Sequence, residues 1–197
     1  MLLKALLDHF DSYTKLHIEV DSVAAQLVEM GIQDEISFHL VSMNENVLRG
    51  LLYRYTRHDV PYGDPVFCSE ICLAKSLPYE WRRIVAVKEL LHITDTEAET
   101  AESEAAVEKL VVRLAMPNDV REEDTRSSLN DRTHIIPALA VLVPKECRTL
   151  LRRMVEGQKI TLPEAAKMAR IPERYIEFVL SDVFDDIVNA IVEANGG

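Results

Sequence analysis

The chain has 197 residues, enough for one domain of ordinary size or for one domain with a small helical subdomain. Hydrophobic residues make up 48% and charged residues 28%, a balance typical of a globular protein, and no apolar run is long enough to cross a membrane. The net charge of −11 argues against nucleic-acid binding by the chain as a whole, although the stretch from residue 145 to 180 is locally basic.

The first third of the chain changes from a helical to a strand pattern. Apolar residues recur at helical spacing over residues 2–30, and Gly31 is placed as a C-terminal helix glycine. Alternating patterns then predict strands near residues 36–40 and 51–55, and a third strand is predicted over residues 66–73. Because the connections between these strands are short, we expect a small antiparallel three-stranded sheet.

The three cysteines predict free thiols. Cys68 and Cys72 lie four residues apart in one predicted strand, roughly 13 Å, which is too far for a disulfide. Cys147 is remote in sequence. An odd number of reduced cysteines indicates a cytoplasmic protein.

A helix is predicted from about residue 78 to 94, with Ser76 as its N-cap and Pro78 just inside it. The apolar stripe of this helix includes Trp81 and brings Lys88 to the buried face. Because burying a bare ammonium is costly, Lys88 requires a partner carboxylate or a water-filled cleft.

The rest of the chain is predicted to be mostly helical. We expect a helix over residues 99–115, a polar connector over 118–132 and a short helix over 134–143, followed by helices near residues 145–156, 162–169, 172–180 and 183–194. The predicted fold is α+β, with a first domain over residues 1–143 and an all-helical subdomain over residues 144–197.

The segment from Lys88 to His92 reads K-E-x-x-H, one residue away from the zinc-peptidase motif H-E-x-x-H. In the intact motif two histidines four residues apart bind zinc, and the glutamate acts as general base. Glu89 and His92 keep the positions of the base and the second ligand. Lys88 replaces the first ligand, and an ammonium has no lone pair to offer a metal.

The motif helix and the order of elements before it resemble the ImmA/IrrE family of zinc metallopeptidases, over roughly residues 36–180. The resemblance implies a zincin-like core and a regulatory setting in bacteria or phages, where the intact enzymes cleave a repressor. The family's third zinc ligand is a glutamate about eleven residues before a Leu-Met-Pro-like corner. Corners at Pro117 and Pro144 place Ala106 or Thr133 at that position, so neither supplies the glutamate.

The resemblance leaves two readings of the site. In the first, the protein is a degenerate peptidase with no cofactor: Lys88 is a fixed cation that pairs with Glu89 or another acid, and the old cleft binds a protein partner. In the second, the protein is an active zinc endopeptidase with substituted ligands. His92 and His134 would then bind zinc with a carboxylate from Asp95, Glu102 or Glu104, whereas otherwise His134 would be a histidine at a loop edge.

Residues 161–180 resemble a helix-turn-helix. Thr161 and Glu164 form a predicted capping box, and residues 170–172 form the turn. A third reading is therefore a DNA-binding regulator that uses Arg170 and Arg174, although two acidic residues lie in the same second helix. The apolar residues of the last helix would serve the core or, alternatively, a homodimer seam: Ile187, Ile191 and Val192.

Overall fold

The computed structural model describes residues 2–94 and 126–194. The helices in these ranges are α1 (Leu2–Asp11), α2 (Val20–Glu29), α3 (Tyr79–His92), α4 (Arg126–Leu142), α5 (Lys145–Glu156), α6 (Leu162–Ala169), α7 (Glu173–Val179) and α8 (Asp182–Ala194). The strands are β1 (Glu35–Val41), β2 (Gly50–Arg57) and β3 (Val66–Ala74). The α+β fold and the helical C-terminal region are thereby confirmed. The helix predicted over residues 99–115 lies outside the described residues.

The three strands form a mixed sheet in the order β1-β3-β2. β2 pairs antiparallel with β3, with Leu52 beside Ile71, and β1 pairs parallel with β3, with Phe38 on the other side of Ile71. The prediction of an antiparallel sheet is therefore wrong for β1.

The difference follows from which strand is buried. β3 has buried residues on both faces, Ser69 and Ile71 on one and Cys68 and Ala74 on the other, as is typical of a central strand. β2 instead exposes Tyr53, Arg54 and Arg57, and charged side chains are typical of an edge strand. β2 and β1 therefore both pair with β3. Because only residues 42–49 connect β1 to β2, β2 begins at the end of the sheet where β1 ends, so β1 runs antiparallel to β2 and parallel to β3.

Two helix starts differ from the prediction. α3 begins at Tyr79 with Pro78 as its N-cap, and the hydroxyl of Ser76 donates instead to Glu45 Oε2 over 2.5 Å. α4 begins at Arg126, inside the stretch predicted as a connector. Once the buried apolar part of α4 is helical, adding turns to its polar end avoids a second nucleation cost.

One continuous hydrophobic core includes residues from both sides of residue 143. α3 packs against β2, β3, α2 and α4, and α4 also contacts α1 and α8. Ile187 and Ile191 of α8 are buried in this core, and Val192 packs against it, in agreement with the prediction that these residues serve the core.

Within the described ranges, no helix combines the length and apolarity needed to cross a membrane. The three cysteines are free thiols.

Candidate functional site

Helix α3 is central to the molecule and carries the motif residues. Its residues from Arg83 to Leu91 are buried without interruption, because the helix lies between the sheet and α4. Lys88 and His92 are four residues apart and therefore share one helix face. A helix buried all round has little room for charge, so each of its polar side chains requires a specific partner.

Lys88 and Glu89 form a buried ion pair. Lys88 Nζ lies 2.8 Å from Glu89 Oε1, and the two side chains are 7% and 6% exposed. Oε1 has no donor in hydrogen-bonding geometry among the described residues, so the attraction between them is chiefly that of two opposite charges. The expectation that Lys88 has a carboxylate partner is met by its neighbour in sequence.

Strand β2 closes one side of this ion pair. A Cβ atom added at Gly50 would lie 2.3 Å from Val85 Cγ1 and 2.9 Å from Glu89 Oε1, both shorter than real Cβ contacts. The backbone of β2 therefore approaches the Glu89 carboxylate as only glycine permits. As a result, the Glu89 carboxylate is enclosed by β2 and Lys88.

His92 and His134 are brought together although they are distant in sequence. Their ring centroids are 3.9 Å apart and their planes are tilted by 42°. His134 lies within α4 and is half-buried, so it is not at a loop edge. Of the predicted site residues, Lys88, Glu89, His92 and His134 thus lie along the contact between α3 and α4.

The described residues do not complete a zinc site around this histidine pair. A catalytic zinc takes about three protein ligands, and no group of three candidate metal ligands occurs within residues 2–94 and 126–194. The proposed third ligands lie outside the described residues: Asp95, Glu102 and Glu104. Ala106 and the corner at Pro117 also lie outside them, whereas Thr133 lies in α4.

A pocket of about 260 Å³ opens elsewhere, between α2, the sheet and the first half of α3. Its lining includes the apolar residues Phe38 and Leu73 and the basic residues Arg82 and Arg83. The motif residues do not line this pocket. The pocket and the motif therefore occupy different parts of α3.

The sequence did not reveal the role of Arg83, which is 2% exposed. Its guanidinium donates to the backbone carbonyls of Ile18, Ala169 and Arg170, and burial lowers the pKa of this guanidinium. Arg83 lies on the same helix face as Val87 and Leu90, and this spacing is the one signal that could have marked it as buried. It connects α3 to the carbonyl end of α6, where a cation is favoured.

The helix-turn-helix-like segment has the predicted local structure. Thr161 and Glu164 form a capping box, and Arg170 has the left-handed conformation that ends α6, with φ of 52°. Three apolar residues in α7 and at its end are buried: Ile176, Val179 and Leu180.

Arg170 and Arg174 both rest on aromatic rings. The Arg170 guanidinium lies 5.7 Å from the ring centroid of Tyr79, and the Arg174 guanidinium lies 4.3 Å from that of Trp81. Trp81 was predicted in the inward stripe of α3, but it is only half-buried. The two candidate DNA contacts are thus held against the first turn of α3.

A scan against family models, a search of curated proteins and a search of solved structures each found no match to this chain. The resemblance to the ImmA/IrrE family therefore stays a prediction that rests on the motif and the order of elements.

Proposed function

We propose that this protein is a catalytically inactive, metallopeptidase-like regulator that acts by binding a protein partner. The observation that carries the proposal is the buried ion pair of Lys88 and Glu89. In the motif that this segment resembles, the first position binds metal and the glutamate accepts a proton from metal-bound water. In this chain the first position holds the Lys88 ammonium, which forms an ion pair with the glutamate, Glu89.

The ion pair disfavours both steps of that chemistry. A protonated lysine cannot donate a lone pair to a metal, and its charge repels a metal cation placed nearby. A carboxylate that is 6% exposed, paired with an ammonium and enclosed by the backbone at Gly50 has little access to a water molecule. The site is thus suited to preserving the packing of α3 without metal.

The contact between His92 and His134 favours a second candidate, a zinc endopeptidase with substituted ligands. Two imidazole rings whose centroids are 3.9 Å apart could each direct a nitrogen to one ion. This candidate requires a third ligand from elsewhere in the chain. It also requires Lys88 to turn away from Glu89, which would leave a buried carboxylate beside the metal.

Metal content separates the two candidates. We expect untagged protein, purified without added zinc, to contain far less than one zinc per chain and to unfold at the same temperature with and without a chelator. The matched variant is Lys88→His, which restores H-E-x-x-H beside His92 and His134 and should bind zinc in proportion to protein. About one tightly held zinc per chain in the natural protein would refute the proposal.

A further inference from the structure

Three arginines and three aromatic residues meet at the first turn of α3. We call this group the arginine–aromatic cluster: Arg49, Arg170 and Arg174 with Tyr79, Trp81 and Tyr175. They come from the segment before β2, from the start of α3, from the turn after α6 and from the first turn of α7. Trp81 is eleven residues before His92, so the cluster is about 16 Å along the helix from the motif.

The aromatic rings hold the guanidinium groups in place. Arg49 and Arg174 both lie on Trp81, with distances of 4.6 Å and 4.3 Å from guanidinium carbon to ring centroid. Arg174 also donates to the hydroxyl of Tyr175 over 2.7 Å, and Tyr175 packs edge-on against Trp81. Two like charges are thereby held against one indole ring.

The arginines of the cluster are not neutralised by ion pairs with the residues that the structure describes, although Glu80 lies in the first turn of α3 and Glu173 and Glu177 lie beside Arg174 on α7. Within the described residues, none of its three arginines forms an ion pair with a carboxylate, although the chain has 33 acidic residues. The cluster also lies at the amino end of α3, where the helix dipole adds positive potential. Arg170 and Arg174 are exposed, so an anion has direct access to them.

We propose that the arginine–aromatic cluster binds an acidic segment of a partner protein. Carboxylates match the flat fork of guanidinium, and fixed arginine and aromatic side chains are the residue types that dominate protein–protein interfaces. The partner segment needs only two or three carboxylates, spaced to reach Arg174 and its neighbours, with an apolar residue against the exposed part of Tyr79.

The charges around the cluster favour a short acidic peptide over nucleic acid. Glu173 and Glu177 lie on α7 beside Arg174 and are exposed, and the whole chain carries −11. A long phosphate backbone that reached the cluster would be repelled by these charges, whereas a short peptide covers the arginines alone. Binding of an acidic segment at the cluster is independent of whether the Lys88–Glu89 site binds metal, so the experiments on the two sites can give opposite results.

Trp81 is the only tryptophan of the chain and reports directly on the cluster. We would titrate the full chain with a hexaglutamate peptide at about 20 mM salt, where screening is weak. We expect a saturable change in tryptophan emission that weakens as salt is raised. A single-stranded oligothymidylate long enough to extend past the cluster to Glu173 and Glu177 should bind more weakly, because these carboxylates repel its outer phosphates.

Variants assign the effect to the cluster. Because Arg49→Gln and Arg174→Gln alter the surroundings of Trp81, their affinities would be measured by anisotropy of dye-labelled hexaglutamate, with circular dichroism to verify folding. We expect about tenfold weaker binding for each, partial recovery in Arg174→Lys, and natural affinity in the control Arg153→Gln, an exposed arginine of α5. The proposal is overturned by no saturable binding, by tighter binding of the oligonucleotide, or by equal losses in Arg153→Gln and Arg174→Gln.

Discussion

The Lys88→Met variant tests whether Lys88 neutralises a buried carboxylate. Methionine retains most of the side-chain volume but removes the charge 2.8 Å from Glu89 Oε1. Breaking a buried ion pair leaves its partner charged and unsolvated, which costs about 3–5 kcal/mol of unfolding free energy. For a chain of this size, about 2–4 °C is lost per kcal/mol, so we expect the melting temperature to fall by about 6–20 °C.

The natural control is a second lysine–carboxylate pair with a similar nitrogen–oxygen distance but much greater exposure. Lys4 Nζ lies 2.7 Å from Asp8 Oδ2, and both side chains are about 60% exposed. Lys4→Met should therefore cost about 0.5 kcal/mol or less, because an exposed pair gains little from its charges. The two variants differ mainly in burial, so the contrast isolates desolvation.

The double variant Lys88→Met with Glu89→Gln removes both charges of the buried pair. Removing both charges avoids an unpaired buried ion, so the double variant should be more stable than Lys88→Met alone. Urea denaturation followed by circular dichroism gives all the free energies. A Lys88→Met variant as stable as the natural protein, or a double variant that recovers nothing, would refute the fixed-cation account.

Three further predictions concern other contacts of the site and its surroundings. Gly50→Ala should lower stability by about 1–3 kcal/mol in chemical denaturation, because its Cβ would clash with Val85 and Glu89. Arg83→Met should cost more than about 3 kcal/mol by the same measurement, since it leaves three inward-facing carbonyls unpaired. The backbone N–H of Thr161 and then its hydroxyl lower the pKa of Glu164, so this cap stabilises the fold above the ordinary glutamate pKa and is lost as pH falls through the lowered value. Carbon-detected NMR titration should show the Glu164 pKa rising partway toward its ordinary value in Thr161→Ala, and an unchanged titration would contradict the assignment.

The local structure was predictable wherever single residues determine it. The capping box at Thr161 and Glu164 and the apolar stretch of β3 gave element bounds close to those observed. The order of the strands was not predictable from periodicity, because alternation shows which face is buried and not which strand lies beside which.

The site was predictable in part. The motif placed Lys88 on a buried face and required a carboxylate for it, and Glu89 supplies that carboxylate. The contact of His92 with His134 depends on how α4 packs on α3, which no local pattern encodes. Arg83 was missed because arginine is rarely buried, and its partners are backbone carbonyls that carry no sequence signature.

The position of β3 at the centre of the sheet affects how the chain folds during synthesis. β1 and β2 are both translated before β3, and each pairs only with β3. Until residues 66–74 leave the ribosome, the two earlier strands therefore lack their native partner and present open edges to other chains. Exposed charged residues at their ends, Glu35 and Arg57, disfavour edge-to-edge association during that interval. The native sheet can thus form only after its last strand emerges, and α3, which follows β3 in the chain, can pack on it only after that.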